Sequence, residues 1–470
     1  MARRKNSYPN IIIILADDMG YGDVGCYGSR KIPTPNMDKI ASEGIRFTDA
    51  HSSSAVCTPS RYSIMTGRYC WRSKLKRDVL TGYDSPIIEK ERPTIASMLK
   101  KQGYQTAAIG KWHLGLEWPT KNSIPIPLSA TKIPDIDFSR KIKRGPNDLG
   151  FDYFFGIAGS LDMPPYCFIE NDHTVGIPNI PKKPLFQQQS EGLMVPGWRD
   201  DKVDITFTEK AKEFINQNMK TQDQNPFFLY LCTSAPHRPC DIRPDFVREK
   251  SDAGDRGDMV VLFDWVVGQI NEELERNKLI ENTFLIISSD NGARSVCFNG
   301  KDYGHDSNGL YRGQKGDIWE GGHRIPLIAR YPSNIEPNLL SKEQICLVDL
   351  FATFSSMIGY EIPKSAAEDS INIYPILTGK TNEKNFRESM IHHSMFGMFA
   401  IRQEYWKFIK GLGSGGITSP RKIIPKKNDP KGQLYNLKQD PGEEINLWKH
   451  ESKIVDKLQL TLRKIRRRNI

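Results

Sequence analysis

Residues 11–15, Ile-Ile-Ile-Ile-Leu, form an unbroken apolar and largely β-branched run that ends at Asp17-Asp18. Such a run predicts a strand buried on both faces of a parallel sheet. Residues 104–109, 227–232 and 284–289 predict further strands, and 44–48 a short one. Between them, apolar positions recur at helical spacing over 34–41, 94–100, 203–218 and 259–277. A Thr-Pro pair opens the first of these helices and Gly103 closes the second. Alternating strands and helices predict an α/β fold, a mainly parallel sheet flanked by helices. Residues 116–147, rich in Pro, Ser and Lys, read as a long loop, and such loops in compact domains are commonly functional. Residues 178–189 also lack a regular pattern. From about residue 380 the style changes: 398–403 and 406–409 read as antiparallel strands, and 454–468 as a final helix. The expected organisation is a large α/β domain over 1–379 and a smaller α+β domain with an antiparallel sheet over 380–470.

At 470 residues the chain is too long for one ordinary core, which agrees with two domains. Its 38% hydrophobic and 26% charged residues describe a globular chain, and no apolar run is long enough to span a bilayer. Arg3, Arg4 and Lys5 precede the first apolar run, which is too short for a signal-peptide core, so no export signal is visible. The net charge is +10, with a pI near 9.0. Part of it is the C-terminal group Arg463, Lys464, Arg466, Arg467 and Arg468, read as a solvated helix face or tail. The remaining excess suits a polyanionic partner, and the absence of any nucleic-acid-binding signature turns the expectation from nucleic acid to acidic polysaccharide. Eight cysteines do not make a disulfide scaffold in a chain of this length. Cys232 and Cys240 are spaced to close a small loop or to remain free, and no zinc-type spacing occurs.

Four strand-like segments end in chemically capable residues: Asp17-Asp18, Lys111 with His113, His237, and Asp290-Asn291. Singly, each reads equally as a turn or cap. On successive strands of a parallel sheet they point to a site along one rim, beyond the carboxyl ends. Three carboxylates and an amide make an oxygen-donor set suited to Ca²⁺ or Mg²⁺. With Arg61, Lys111 and Lys315 nearby, such a site would hold a tetrahedral oxyanion and the charge that develops on it. Cys57, just before Pro59, is placed at a helix N-terminus, where negative charge is stabilised. The residue types alone leave it either a reactive side chain or a buried cysteine before a helix.

Cys57-Thr58-Pro59-Ser60-Arg61 resembles the signature of type I sulfatases of the alkaline phosphatase superfamily. Gly103-Tyr104-Gln105-Thr106-Ala107-Ala108-Ile109-Gly110-Lys111-Trp112-His113 resembles the second signature of that family. Ser289-Asp290-Asn291-Gly292 and Arg312-Gly313-Gln314-Lys315-Gly316 are similar to its later motifs, and the segment from Tyr435-Asn436-Leu437 to Asn446-Leu447 to its C-terminal one. The general style is that of bacterial polysaccharide sulfatases. Two departures, Ala352 where proline is frequent and Gln314 beside the lysine, remove no chemical group.

The resemblance implies that a maturating enzyme, of the formylglycine-generating or the anaerobic type, oxidises Cys57 to formylglycine. Asp17, Asp18, Asp290 and Asn291, together with residue 57, would hold one calcium ion. It further implies that Arg61 and Lys111 orient the hydrated aldehyde, one hydroxyl of which attacks sulfur to give a covalent sulfo-enzyme. His237 would protonate the leaving oxygen, Lys315 would contact the sulfate, and His113 would deprotonate the second hydroxyl to expel sulfate. Ser160 matches a position near the sulfate, and His393 is a candidate contact to the leaving group. The expected substrate is a sulfated polysaccharide or oligosaccharide, met in the periplasm or after secretion, with no nucleic-acid partner. The alternatives are a formylglycine-dependent phosphonate or phosphodiester hydrolase and a non-catalytic glycan-binding protein on the same fold.

Overall fold

The computed structural model describes residues 8–124, 126–128, 134–185, 189–220, 225–294, 303–379 and 386–468. At its centre lies the strand Asn10–Ala16, buried along its whole length. Ile11, Ile13 and Leu15 belong to one apolar core, and Ile12, Ile14 and Ala16 to another. This is the division that side chains alternating across a two-sided sheet impose. Each large aliphatic side chain removed from water contributes about 1.5–3 kcal/mol, so a run of four isoleucines belongs in the middle of the sheet.

Five strands lie side by side in parallel, in the spatial order Thr283–Ser289, Asn10–Ala16, Phe227–Cys232, Gln105–Lys111 and Tyr153–Ile157. The edges of this ten-stranded sheet are mixed. Leu327–Arg330 runs antiparallel between Thr283–Ser289 and Ile45–Phe47, with Leu339–Ser341 outermost. At the opposite edge, Ile169–Glu170 and His173–Thr174 add antiparallel pairs. The parallel centre needs crossovers, and the helices supply them. Pro35–Ser42, Val203–Met219 and Gly254–Arg276 cover the face of Ile12 and Ile14. Cys57–Thr66, Ile95–Lys101 and Leu350–Ile358 cover the other face.

The register brings the carboxyl ends of the five strands to one rim. Leu15 lies opposite both Cys232 and Ser288, Cys232 opposite Gly110, and Gly110 opposite Gly156. Gly110 has φ +109°, and a Cβ there would sit 1.8 Å from the Cys232 carbonyl oxygen, so the close approach of these strands requires glycine.

Residues 386–468 carry a four-stranded antiparallel sheet in the order Met390–His393, Phe399–Gln403, Trp406–Ile409 and Gln433–Asn436. The helix Ser452–Arg467 packs Val455, Leu458 and Leu462 into the same core as Ile391, Ile401 and Phe408. Tyr69 and Trp71 of the large unit join that core, so the two parts share apolar surface. A buried polar contact joins them as well: the ammonium of Lys407 lies 3.0 Å from Glu320 and 2.9 Å from Glu443, with all three side chains out of solvent.

Several expectations change. Residues 178–189 are not wholly irregular, because Ile180–Lys182 pairs with Gly192–Met194 in a small hairpin; residues 186–188 lie outside the described residues. The helix expected from residue 259 begins at Gly254. The strands Leu327–Arg330 and Leu339–Ser341 carried no separate signal, being only four and three residues long. Cys232 and Cys240 do not close a loop with each other: Cys232 is a free thiol, and Cys240 Sγ donates to the Pro236 carbonyl. The described part of 116–147 is loop, except for a single bridge between Thr120 and Ile136 and the start of a 3₁₀ turn at Pro146–Leu149. No helix among the described residues is long and apolar enough to cross a membrane.

Candidate active site

The residues singled out from the sequence stand at or just beyond the carboxyl ends of the parallel strands. Ala16 is followed by Asp17 and Asp18, and Ser289 by Asp290 and Asn291. Backbone hydrogen bonds lock these ends together, from Asp290 N to Ala16 O at 3.1 Å and from Asp17 N to Ala235 O at 3.0 Å. Asp18 and His113 adopt positive φ, 68° and 56°, as the chain turns sharply off the strand ends.

Cys57 is the first residue of Cys57–Thr66, whose preceding Val56 is extended and offers no side-chain cap. Arg61, one turn later on the same helix face, is fully buried. Its Nε donates to the Asp290 carboxylate at 2.9 Å and its Nη1 to the Lys111 carbonyl at 2.9 Å, while Nη2 lies 2.8 Å from the same Asp290 oxygen as an ion-pair contact. The Cys57 thiol donates to Asp17 Oδ1 at 3.3 Å. Lys111 Nζ lies 2.6 Å from Asp17 Oδ2, and Lys315 Nζ lies 2.7 Å from Asp18 Oδ2. His237 Nε2 stands 3.6 Å from the same Asp18 oxygen, its Nδ1 turned to the Arg238 carbonyl. Three carboxylates therefore face three cations around the first turn of one helix.

Burial alone would raise the Asp17 carboxyl, but Lys111, His237, Arg61 and Lys315 hold it well below the usual range. Asp18 is lowered too: burial raises it, but Lys315, His237 and Lys111 together outweigh burial. At Asp290 burial outweighs Arg61 and pushes the carboxyl up to about 6. Burial, Asp17 and Asp290 push the Cys57 thiol well up, so an unmodified Cys57 is a poor source of thiolate. Burial and Lys111 keep His113 well down, and burial and Lys315 lower His237; both imidazoles are neutral near pH 7. His113 gives Nε2 to the Leu80 carbonyl at 2.7 Å, which leaves Nδ1 buried with no hydrogen-bond partner.

The residues fit a hard cation. Ligand atoms of Asp17, Asp18, Cys57 and Asp290 lie within 4.8 Å of one another. Asn291 donates Nδ2 to Asp18 Oδ1 at 2.8 Å, while its Oδ1 is buried without a partner. Three carboxylates and an orphaned amide oxygen are the donor set that Ca²⁺ or Mg²⁺ takes.

Ser160 lies on the same rim. Ala158, two residues before it, accepts the His113 N–H at 3.1 Å, and the Ser160 hydroxyl is buried without a partner. His393 is placed differently. Its Nδ1 meets the Ser54 hydroxyl at 3.2 Å and its ring lies edge-on to Phe399, so its contacts support the chain leading to Cys57 and do not join the carboxylates.

Two supporting residues escaped the sequence reading. Asp204 accepts from Ser234 N, Ser234 Oγ and Ala235 N at 2.7–3.0 Å and so holds the turn that carries His237. Arg256 donates to the Asp18 carbonyl at 2.8 Å and to Asp23 at 2.6 and 2.9 Å. The signal was a charge on an apolar helical stripe: Asp204 falls in line with Phe207, Thr208 and Ala211, and Arg256 with Met259, Val260 and Phe263.

A family model described as Sulfatase matches residues 9–360, and one described as N-sulphoglucosamine sulphohydrolase, C-terminal, matches 311–468. The N-acetylgalactosamine-6-O-sulfatase of Bacteroides thetaiotaomicron is 34% identical over 504 residues, covering 98% of this chain and 93% of that protein. Human arylsulfatase A is 30% identical over 459 residues, covering 93% and 83%. A solved Bacteroides thetaiotaomicron structure, from work on the metabolism of multiple glycosaminoglycans, is 31% identical with a TM-score of 0.85, covering 98% of this chain and all of that one.

Proposed function

This chain belongs to the sulfatase family, and from that premise we propose that it hydrolyses sulfate esters with an oxygen nucleophile at position 57, formylglycine made from Cys57, beside one calcium ion. The observation that carries the reading is the convergence on Cys57 of Asp17, Asp18 and Asp290 with Arg61, Lys111 and Lys315. Bound there, the two groups supply a hydrated aldehyde as nucleophile and a positive charge against which sulfate oxygens are held. Asp17, Asp18, Asp290, the amide oxygen of Asn291 and residue 57 hold the ion. Arg61 and Lys111 flank position 57 and orient its oxygen. Lys315 and His237, which meet at Asp18, face the ester: Lys315 pairs with a sulfate oxygen, the sulfate offsets the Lys315 charge that lowers His237, and His237, protonated on Nε2 in that complex, gives its proton to the departing alcohol oxygen. His113, neutral and with Nδ1 free, takes the proton released at position 57 as sulfate leaves. The Ser160 hydroxyl offers a further hydrogen bond to the substrate, while His393 enters the reading as a support behind Ser54.

A sulfated polysaccharide or oligosaccharide is the substrate class that the net charge of +10 and the N-acetylgalactosamine-6-O-sulfatase relative both favour. Such polymers place the enzyme's work outside the cytoplasm. Cys57 is 1% exposed, so the maturating enzyme acts before the chain closes over it. Release of sulfate from a panel of defined sulfated oligosaccharides, alongside aryl sulfates, aryl phosphodiesters and phosphonates, tests the reading. Turnover of sulfate esters with a preference for the oligosaccharides is expected; a clear preference for phosphorus esters would overturn it.

A further inference from the structure

The basic cluster at the C-terminus is not simply a solvated tail. Arg466 and Arg468, at the end of the helix Ser452–Arg467, line a cavity of about 660 Å³ together with Arg68, Arg72, Lys76 and Arg77. Among the described residues, no acidic side chain lines it. Arg68 is paired with Glu89 and Glu368, and Arg72 with Asp369. Lys76, Arg77, Arg466 and Arg468 form no ion pair with a carboxylate of the described residues. Aromatic side chains complete the wall: Arg72 lies over the Trp71 ring at 4.3 Å, Arg466 over Phe399 at 3.9 Å, and Phe396 is 43% exposed. Holding four unneutralised cations together costs Coulomb energy that a bound anion relieves.

Two strips of chain connect this cavity to the catalytic rim. Lys76 and Arg77 lead directly to Leu80, whose carbonyl meets His113 Nε2. Gly397 and Phe396 follow Met395, whose N–H bonds the Gly316 carbonyl at 2.9 Å, next to Lys315. Met395 O in turn accepts from Asp78 N at 2.7 Å, fastening the two strips together. From Lys76 to Leu80 the backbone spans at most about 14 Å, roughly 3.5 Å per residue.

We propose that this cavity is an anion subsite for the glycan, taking a second sulfate or carboxylate group carried on a sugar ring, with the aromatic side chains against the ring and Lys76, Arg77, Arg466 and Arg468 around the oxyanion. The proposal deepens the function proposed above and rests on it for the substrate class. Its place along the strips that also hold His113 and Lys315 favours a group on the same chain as the scissile sulfate.

The test uses the mature enzyme and two charge-reversed forms, Lys76→Glu/Arg77→Glu and Arg77→Glu/Arg466→Glu, each checked for an unchanged Tm. Contacts of exposed charges are individually modest, so the expected result is a rise of about fivefold to tenfold in KM for a multiply sulfated oligosaccharide. The kcat for that substrate and the kcat/KM for a small aryl sulfate should stay as in the parent. An unchanged oligosaccharide KM in both variants would overturn the subsite while leaving the sulfatase reading intact. If the parent cleaves aryl sulfate but no oligosaccharide, the substrate class fails, and direct titration with a heparin-derived oligosaccharide decides the cavity. Binding lost in the variants supports an anion site there, and binding equal in all three proteins removes it. Displacement of the oligosaccharide by a DNA oligomer of equal charge and equal affinity would also overturn the assignment to a glycan.

Discussion

Asn291 shows how one side chain can report a ligand. Its amide nitrogen is committed to Asp18 and Gly292, and its oxygen is left in a buried, carboxylate-lined space with nothing to accept from. A cation satisfies it, since an orphaned buried acceptor costs about 1–3 kcal/mol. Asn291→Ala is expected to weaken calcium binding by about 10- to 100-fold, read by calcium titration of the mature protein. Exhaustive treatment with a calcium chelator should abolish sulfate release, and calcium should restore it. His393 yields a different kind of prediction. Burial and Arg466 lower its pKa to about 4 from an unfolded value near 6.5, so it favours the neutral form in the native state. The unfolded chain then takes up the proton first, and stability present above pH 6.5 is lost as the pH falls towards 4. The contribution is about 3 kcal/mol. Denaturant melts of the parent and His393→Gln between pH 7 and pH 4 should show a shallower loss in the variant, while its kcat on an aryl sulfate stays near the parent's.

At the level of elements, function depends on what holds the strand ends. Asp204, at the start of the helix Val203–Met219, grips the turn of residues 234–235, and the Ala235 carbonyl grips Asp17. Asp204→Ala would leave three donors unsatisfied, so a loss of about 2–4 kcal/mol is expected by urea denaturation. A fall in kcat larger than any change in KM is expected as well, because both Asp17 and His237 lose their support. The elements were largely legible in the chain. Four isoleucines in a row admit few places other than a central strand, and the motifs after strands 105–111 and 283–289 stand where a parallel sheet puts its ligands. The strands at 327–330 and 339–341 were not legible, because such short strands are chosen by the neighbours they pair with and not by local pattern. Asp204 and Arg256 were visible as charges on apolar stripes, but what they hold depends on contacts across tens to hundreds of residues.

Across the whole molecule, the antiparallel unit is fastened to the catalytic sheet by a buried ion cluster as well as by apolar contact. Lys407 sits between Glu320 and Glu443, with His323 3.2 Å away and stacked on His392. Lys407→Met would strand two buried carboxylates together and is expected to cost about 3–5 kcal/mol, visible as a lower denaturation midpoint. The same fastening brings the end of the last helix beside Trp71 and the strip leading to His113, so the C-terminal basic cluster becomes part of a cavity whose role a linear reading could not give. The proposed mechanism turns on the chemistry at residue 57. Mass spectrometry of the peptide that contains it, taken from enzyme that releases sulfate, is the most direct test. The mass of the aldehyde is expected, in a fraction that tracks specific activity, with Cys57→Ala inactive; an unmodified cysteine in fully active enzyme would overturn the formylglycine mechanism.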